Sequence, residues 1–192
     1  MSQQRQALKI VITGPVNAGK TTLIQHLSDT TMASTDVLAT DGVAALKALT
    51  TVGLDFGILK VDDTLEVHLF GTPGQERFNF MWNILGKGAL GAVFLVDSAD
   101  PDSLTVMKNM YGYFKQNMDL PVIVGATKQD LPHARSLDDL SDFLELGPQA
   151  PILPCDARNR EDTKNLVLTL LENILLSETA AAAPSGEFDD LF

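Results

Sequence analysis

Eight consecutive residues, Gly14-Pro15-Val16-Asn17-Ala18-Gly19-Lys20-Thr21, set two glycines, a lysine and a hydroxyl at the spacing G-x-x-x-x-G-K-[ST]. Each residue type has a chemical reason to be there. Glycines let the backbone curl until successive N–H groups face inward as an anion nest. A helix opening at Lys20 adds its positive N-terminal end to the same point. Lys20 would then reach the β- and γ-phosphates of a nucleotide, and the Thr21 hydroxyl would ligate Mg²⁺. Gly14, Asn17, Ala18, Gly19, Lys20, Thr21 and Thr22 are therefore the expected phosphate-binding residues. The apolar run "ALKIVIT" (7–13) before the motif and the helical pattern after it supply the strand–loop–helix context it requires.

Further segments say which base accompanies the phosphates. "ATKQD" (126–130) follows an apolar run and resembles the [NT]-K-x-D element of GTPases. A carboxylate at Asp130 accepts two hydrogen bonds from the N1–H and exocyclic amine of guanine, donors that adenine lacks in that place. Lys128 would lay its aliphatic stem along the base, with Thr127 beside it. "PCDAR" (154–158) is similar to the Ser-Ala-Lys loop of Ras-like proteins, which implies nucleotide contacts from Asp156, Ala157 and Arg158, with the Ala157 N–H offered to guanine O6. "FGTPGQERF" (70–78) resembles the D-T-A-G-Q-E-R-F stretch of Rab and Ras proteins, and "TTVGLDFG" (50–57) the Rab segment T-I-G-V-D-F. These likenesses imply that the Gly74 N–H meets the γ-phosphate, that Gln75 aims the attacking water, and that Thr51 covers Mg²⁺ and the γ-phosphate. Lys20, Gln75 and Thr51 are the implied catalytic set, with Thr21 and Thr51 as metal ligands.

Together these stretches identify residues 7–176 as similar to the Ras-like small GTPases. "LFGTPGQERF" and "GALGAVFLVDSAD" look most like prokaryotic members, the gliding-motility (Mgl) and actinobacterial conservon GTPases. The resemblance implies cycling between GTP and GDP states, Mg²⁺, and a partner of the Roadblock/LC7 fold. Four departures from the pattern matter. Gly71 stands where Ras and Rab carry the aspartate that steadies Mg²⁺, so weak metal dependence and fast exchange are expected. Val16 stands for a glycine beside the γ-phosphate and is expected to slow hydrolysis. Thr127 replaces asparagine, and Arg158 replaces lysine and can stack on the base.

The elements that must position these residues alternate along the chain. Strands are expected at 7–13, 55–61, 65–70, 91–97, 120–127 and 150–155, and helices at 20–28, about 75–87, 102–117, 137–146 and 160–176. "VDDT" (61–64) reads as a hairpin turn. Such alternation predicts an α/β fold: a six-stranded, mostly parallel sheet with one antiparallel strand and helices on both faces. Asp100 and Pro101 read as a helix cap and first turn, and Asp97 as structural. Leu166, Leu170 and Ile174 form one helical stripe, flanked by Val167, Leu171 and Leu175. The domain is expected to span 1–176, with 177–192 as a flexible acidic tail or a docking motif.

The remaining features bound the partners. Six apolar side chains among Phe78, Phe80, Met81, Trp82, Ile84 and Leu85 are too many for one helical face, so Phe78 and Trp82 are expected to form an exposed contact edge. Arg77 is either a catalytic cation or a surface ion-pair partner. Residues 28–51 are either a mobile loop or an added helix. A net charge of -11 disfavours nucleic acid and anionic membranes. One cysteine, no leader-like run, serine rather than glycine after Met1 and no C-terminal cysteine together suggest a cytoplasmic protein without a direct membrane anchor. A nucleotide-held adaptor with negligible turnover and an ATP-dependent kinase remain as alternatives to a switch.

Overall fold

The computed structural model describes residues 5–30, 54–74 and 79–182. Six strands form one sheet in the order β2-β3-β1-β4-β5-β6. They are β1 (Gln6–Thr13), β2 (Phe56–Lys60), β3 (Leu65–Gly71), β4 (Gly91–Asp97), β5 (Val122–Thr127) and β6 (Ile152–Pro154). Every residue of β4 and β5 is buried, as continuous apolar runs in the middle of a two-faced sheet require. The pairings are parallel except for β2 with β3. The turn between those two is closed by the Asp62 carboxylate, which accepts from the backbone N–H of Thr64 and Leu65 at 2.6 and 2.9 Å. The expected sheet, including its antiparallel strand, is the one observed.

Alternation along the strands divides the core into two layers. On one face Ile10, Ile12, Val93, Leu95 and Ile123 pack under α1 (Lys20–Leu27) and α5 (Arg160–Ala182). On the other, Val11, Ala92, Phe94, Val96 and Val124 pack under α2 (Asn79–Gly86), α3 (Pro101–Asn117) and α4 (Leu137–Leu144). The Leu166, Leu170 and Ile174 stripe is buried as its spacing predicts, together with Val167, whereas Leu175 is exposed. The helix does not stop near residue 176 but continues through Ala182, because its Ser-Glu-Thr-Ala-Ala-Ala end includes the strongest helix former.

Two expectations for the helix after β3 meet different outcomes. Gln75, Arg77 and Phe78 lie outside the described residues, as do Thr51, residues 31–53 in general and everything after Ala182. Trp82 is described, and it is not on an exposed edge: it is 3% exposed and packs edge-on against Tyr113 at 5.5 Å between ring centres. The large apolar ring gains more from the α2–α3 seam than solvent contact allows. Ile84, 46% exposed, is the large apolar side chain of this helix that reaches solvent among the described ones.

Register brings the carboxyl ends of β1 and β3 level with each other and those of β4 and β5 level three residues further on. Ile12 pairs with Gly71, Thr13 with Phe94 and Asp97 with Thr127. The loops that follow β1, β3, β4 and β5 therefore emerge along one edge of the sheet, the place where open α/β sheets bind ligands. Asp100 caps the helix leaving β4, accepting from the Asp102 N–H at 3.0 Å with Pro101 in the first turn. Replacing Asp100 with alanine is expected to cost about 1 kcal/mol, read as a lower urea midpoint at unchanged m-value.

Candidate functional site

The loop after β1 is built from backbone conformations that few residues tolerate. Gly14 has φ 136°, and a Cβ there would lie 2.1 Å from the Leu95 carbonyl oxygen, so only glycine lets the chain cross the end of β4. Asn17 (φ 64°) and Gly19 (φ 100°) complete the curl in the left-handed region. Gly19 is the N-cap of α1 and offers no side-chain acceptor, which leaves the N–H groups of the first turn, including those of Thr21 and Thr22, aimed at whatever occupies the loop.

Lys20 closes over this nest. Its Nζ donates to the Pro15 carbonyl at 2.5 Å, and the side chain is buried. Burial lowers its pKa to about 8, against the opposing pull of the Asp55 carboxylate. Gly74 arrives from the end of β3, tied down by Thr72, whose N–H donates to the Ile12 carbonyl at 2.9 Å. A Cβ on Gly74 would sit 2.6 Å from the Val16 nitrogen and 2.8 Å from the Lys20 Nζ, so this approach also demands glycine. Val16 itself is half exposed on the rim.

The loop after β5 is fastened to the phosphate loop. The Thr127 hydroxyl reaches the Ala18 carbonyl at 3.1 Å and the Val96 carbonyl at 2.9 Å. Thus the threonine links the two loops although it lacks an amide. Lys128 follows in the left-handed region (φ 58°), with its ammonium paired to the buried carboxylate of Asp97. Asp97 also accepts from the Ala99 N–H at 3.0 Å, so one carboxylate orders two loops.

Asp130 projects outward, its side chain 63% exposed, with Arg158 Nη2 3.6 Å away. Arg158 makes a two-pronged contact with Asp156 at 2.8 Å on each prong, which holds the Asp156 carboxyl down at about 2. Ala157, between them, is buried against the phosphate loop: a Cβ on Gly19 would touch its methyl at 3.0 Å. Its N–H has no partner among the described residues.

The geometry thus gathers Gly14, Asn17, Ala18, Gly19, Lys20, Thr21, Thr22, Gly74, Thr127, Lys128, Asp130, Asp156, Ala157 and Arg158 at one end of the sheet. Thr51 and Gln75 lie outside the described residues. Asp55, which the motifs did not single out, belongs with the gathered set. The Thr21 hydroxyl donates to its Oδ2 at 2.5 Å. The signal was available in the hairpin: Phe56 pairs with Phe70, so the residue before β2 must lie beside Gly71.

A family model described as "Conserved hypothetical ATP binding protein" matches residues 12–181, and the chain belongs to that family. ADP-ribosylation factor-like protein 8b of Arabidopsis thaliana is 32% identical over 146 residues, covering 74% of this chain and 72% of that one. The chain belongs to the Arf-like small GTPases of the Ras superfamily. Human ADP-ribosylation factor-like protein 4A is 29% identical over 152 residues, 78% of this chain and 72% of its own length. An uncharacterized Methanocaldococcus jannaschii protein is 34% identical over 96 residues, and this chain spans about half of it, 54%. The solved structure of the Arl6 BBS3 small GTPase from Trypanosoma brucei with the nucleotide analogue GppNp has the same fold. The TM-score is 0.66 at 19% identity, over 89% of this chain and 99% of that one.

An Arf-like protein with a lysine at about 8 should take up a proton on binding a polyphosphate. The free pKa lies below the ordinary 10.5, and an anion beside the ammonium raises it. Calorimetry of GDP binding at about pH 8.5 in two buffers of different ionisation heat should read uptake approaching one proton, with affinity falling as pH rises above about 8.

Proposed function

We propose that this protein is a guanine-nucleotide switch that binds GTP and GDP with Mg²⁺ and hydrolyses GTP slowly. The observation that carries the reading is the fastening of the base loop to the phosphate loop through Thr127 and the Gly19–Ala157 contact, with Asp130 and the Ala157 N–H on the base side. An acceptor and a donor so arranged match the amine side and the O6 of guanine. The Thr21 hydroxyl and Asp55 carboxylate, side by side, form a hard oxygen set suited to Mg²⁺. The metal would supply positive charge against the phosphates, which Lys20 and the loop N–H groups share.

In hydrolysis the chain's own work is positioning. Gln75 aims water, the Gly74 N–H meets the γ-phosphate, and Thr51 closes over it in the GTP state; loss of that phosphate releases both loops. Val16 on the rim crowds the attacking side, so unaided hydrolysis is slow, about 10⁻⁴ to 10⁻² s⁻¹ by analogy with unaided Ras and Gα, and a partner supplies the rest. The "LFGTPGQERF" and "GALGAVFLVDSAD" stretches support an Mgl- or conservon-type protein working in a cytoplasm with a Roadblock/LC7-type regulator.

The family model's description favours a second reading, ATP binding. Fluorescent GDP challenged with GTP and with ATP separates the two: displacement by GTP alone is expected, and equal displacement by ATP refutes guanine recognition. Asp130→Ala is expected to erode the GTP-over-ATP preference on the order of 10²-fold, less than a fully buried contact would give. Multiple-turnover phosphate release with and without a Roadblock-type protein tests the cycle. No release in either condition identifies a nucleotide-held adaptor.

A further inference from the structure

Gly71 carries no carboxylate at the place where the resemblance implies a magnesium-steadying aspartate, and the residue packed beside it is Asp55, which immediately precedes β2. Gly71 ends β3 beside Asp55, to whose carbonyl its N–H donates at 2.8 Å. A Cβ added at Gly71 would lie 2.9 Å from the Asp55 Cβ and 2.9 Å from Ile24 Cδ1. Residues 55 and 71 therefore compete for one volume, and only one of them can send a side chain into it. Here Asp55 does, and its Oδ2 stops 2.5 Å from the Thr21 hydroxyl, directly after Lys20 in the phosphate loop.

We propose that Asp55 supplies the magnesium-facing carboxylate that Gly71 cannot carry, so that metal control of nucleotide binding has moved from the end of β3 to the start of β2. The inference rests on the guanine-nucleotide reading above. Its chemistry is that of an outer ligand: the hydroxyl of Thr21 gives its one proton to Asp55, which orients the oxygen lone pairs toward a cation. The backbone of Asp55 already satisfies the β2–β3 pairing, so strand structure does not require the carboxylate. Thr21 is the one hydrogen-bond partner of that carboxylate among the described residues. Burial of Lys20 against the same charge agrees with this, since Asp55 is the group that pulls the Lys20 pKa upward.

The consequence reverses what Gly71 alone suggests: the wild-type protein should show ordinary dependence on Mg²⁺. The test is the dissociation rate of fluorescent GDP in excess Mg²⁺ and in EDTA. Asp55→Asn should speed dissociation about 10- to 100-fold more in Mg²⁺ than in EDTA. The double variant Asp55→Gly with Gly71→Asp, which removes the Asp55 Cβ that a side chain at residue 71 would meet and moves the carboxylate to β3, should recover the Mg²⁺ response, and failure to recover it counts against the shared volume. An unchanged Mg²⁺ response in Asp55→Asn overturns the inference and leaves nucleotide recognition standing. Equal acceleration in EDTA also overturns it, because the residue would then serve the loop and not the metal. A wild type that holds no GDP in either condition removes both readings.

Discussion

Gly14 crosses the end of β4 with no space for a side chain, and the geometry of the site depends on that crossing. The Leu95 carbonyl sits where a Cβ would be, so the chain leaving β1 is forced over the neighbouring strand and into the curl that ends at Gly19. From that curl come the inward N–H groups, the uncapped start of α1 and the position of Lys20. A site for several negative charges can exist in a chain of net charge -11 because these donors are local and fixed. Long-range charge would oppose the ligand; short-range dipoles receive it.

The rest of the edge is organised by contacts between loops that belong to different strands. Thr127 reaches Ala18, Ala157 touches Gly19, Gly74 presses on Val16, and Asp55 meets Thr21. Each contact joins the phosphate loop to one other segment, so that loop is the hub of this edge. Asp97 plays the same part once removed, holding Lys128 and the turn at Ala99 with a single buried carboxylate. Rigidity of this kind favours discrimination, because a loop already in place does not lose entropy again on binding.

On the opposite layer the balance is different. Trp82 gives its ring to the α2–α3 seam and leaves its indole N–H without a partner among the described residues. Packing area outweighed that one hydrogen bond, worth about 1 kcal/mol net. Among the described side chains of α2, Ile84 is the large apolar one that faces solvent.

The sequence by itself determined the sheet, because unbroken apolar runs such as 91–97 can only be central strands, and the antiparallel hairpin, because Asp62 and Thr64 make a turn. It also determined the phosphate loop, whose residue types state their own conformational needs. It did not reveal the side on which Trp82 lies, since a dense apolar helix has no distinguishable faces until α3 is packed against it. Nor does it reveal the end of α5, since the low-complexity stretch reads as a tail while its alanines extend the helix to Ala182. Only the tertiary structure decided that Asp55 stands beside Thr21. The hairpin pairing sets Asp55 next to Gly71, but neither that pairing nor motif spacing says that α1 brings the Thr21 hydroxyl to the same place, because the helix packs there only once the sheet is formed.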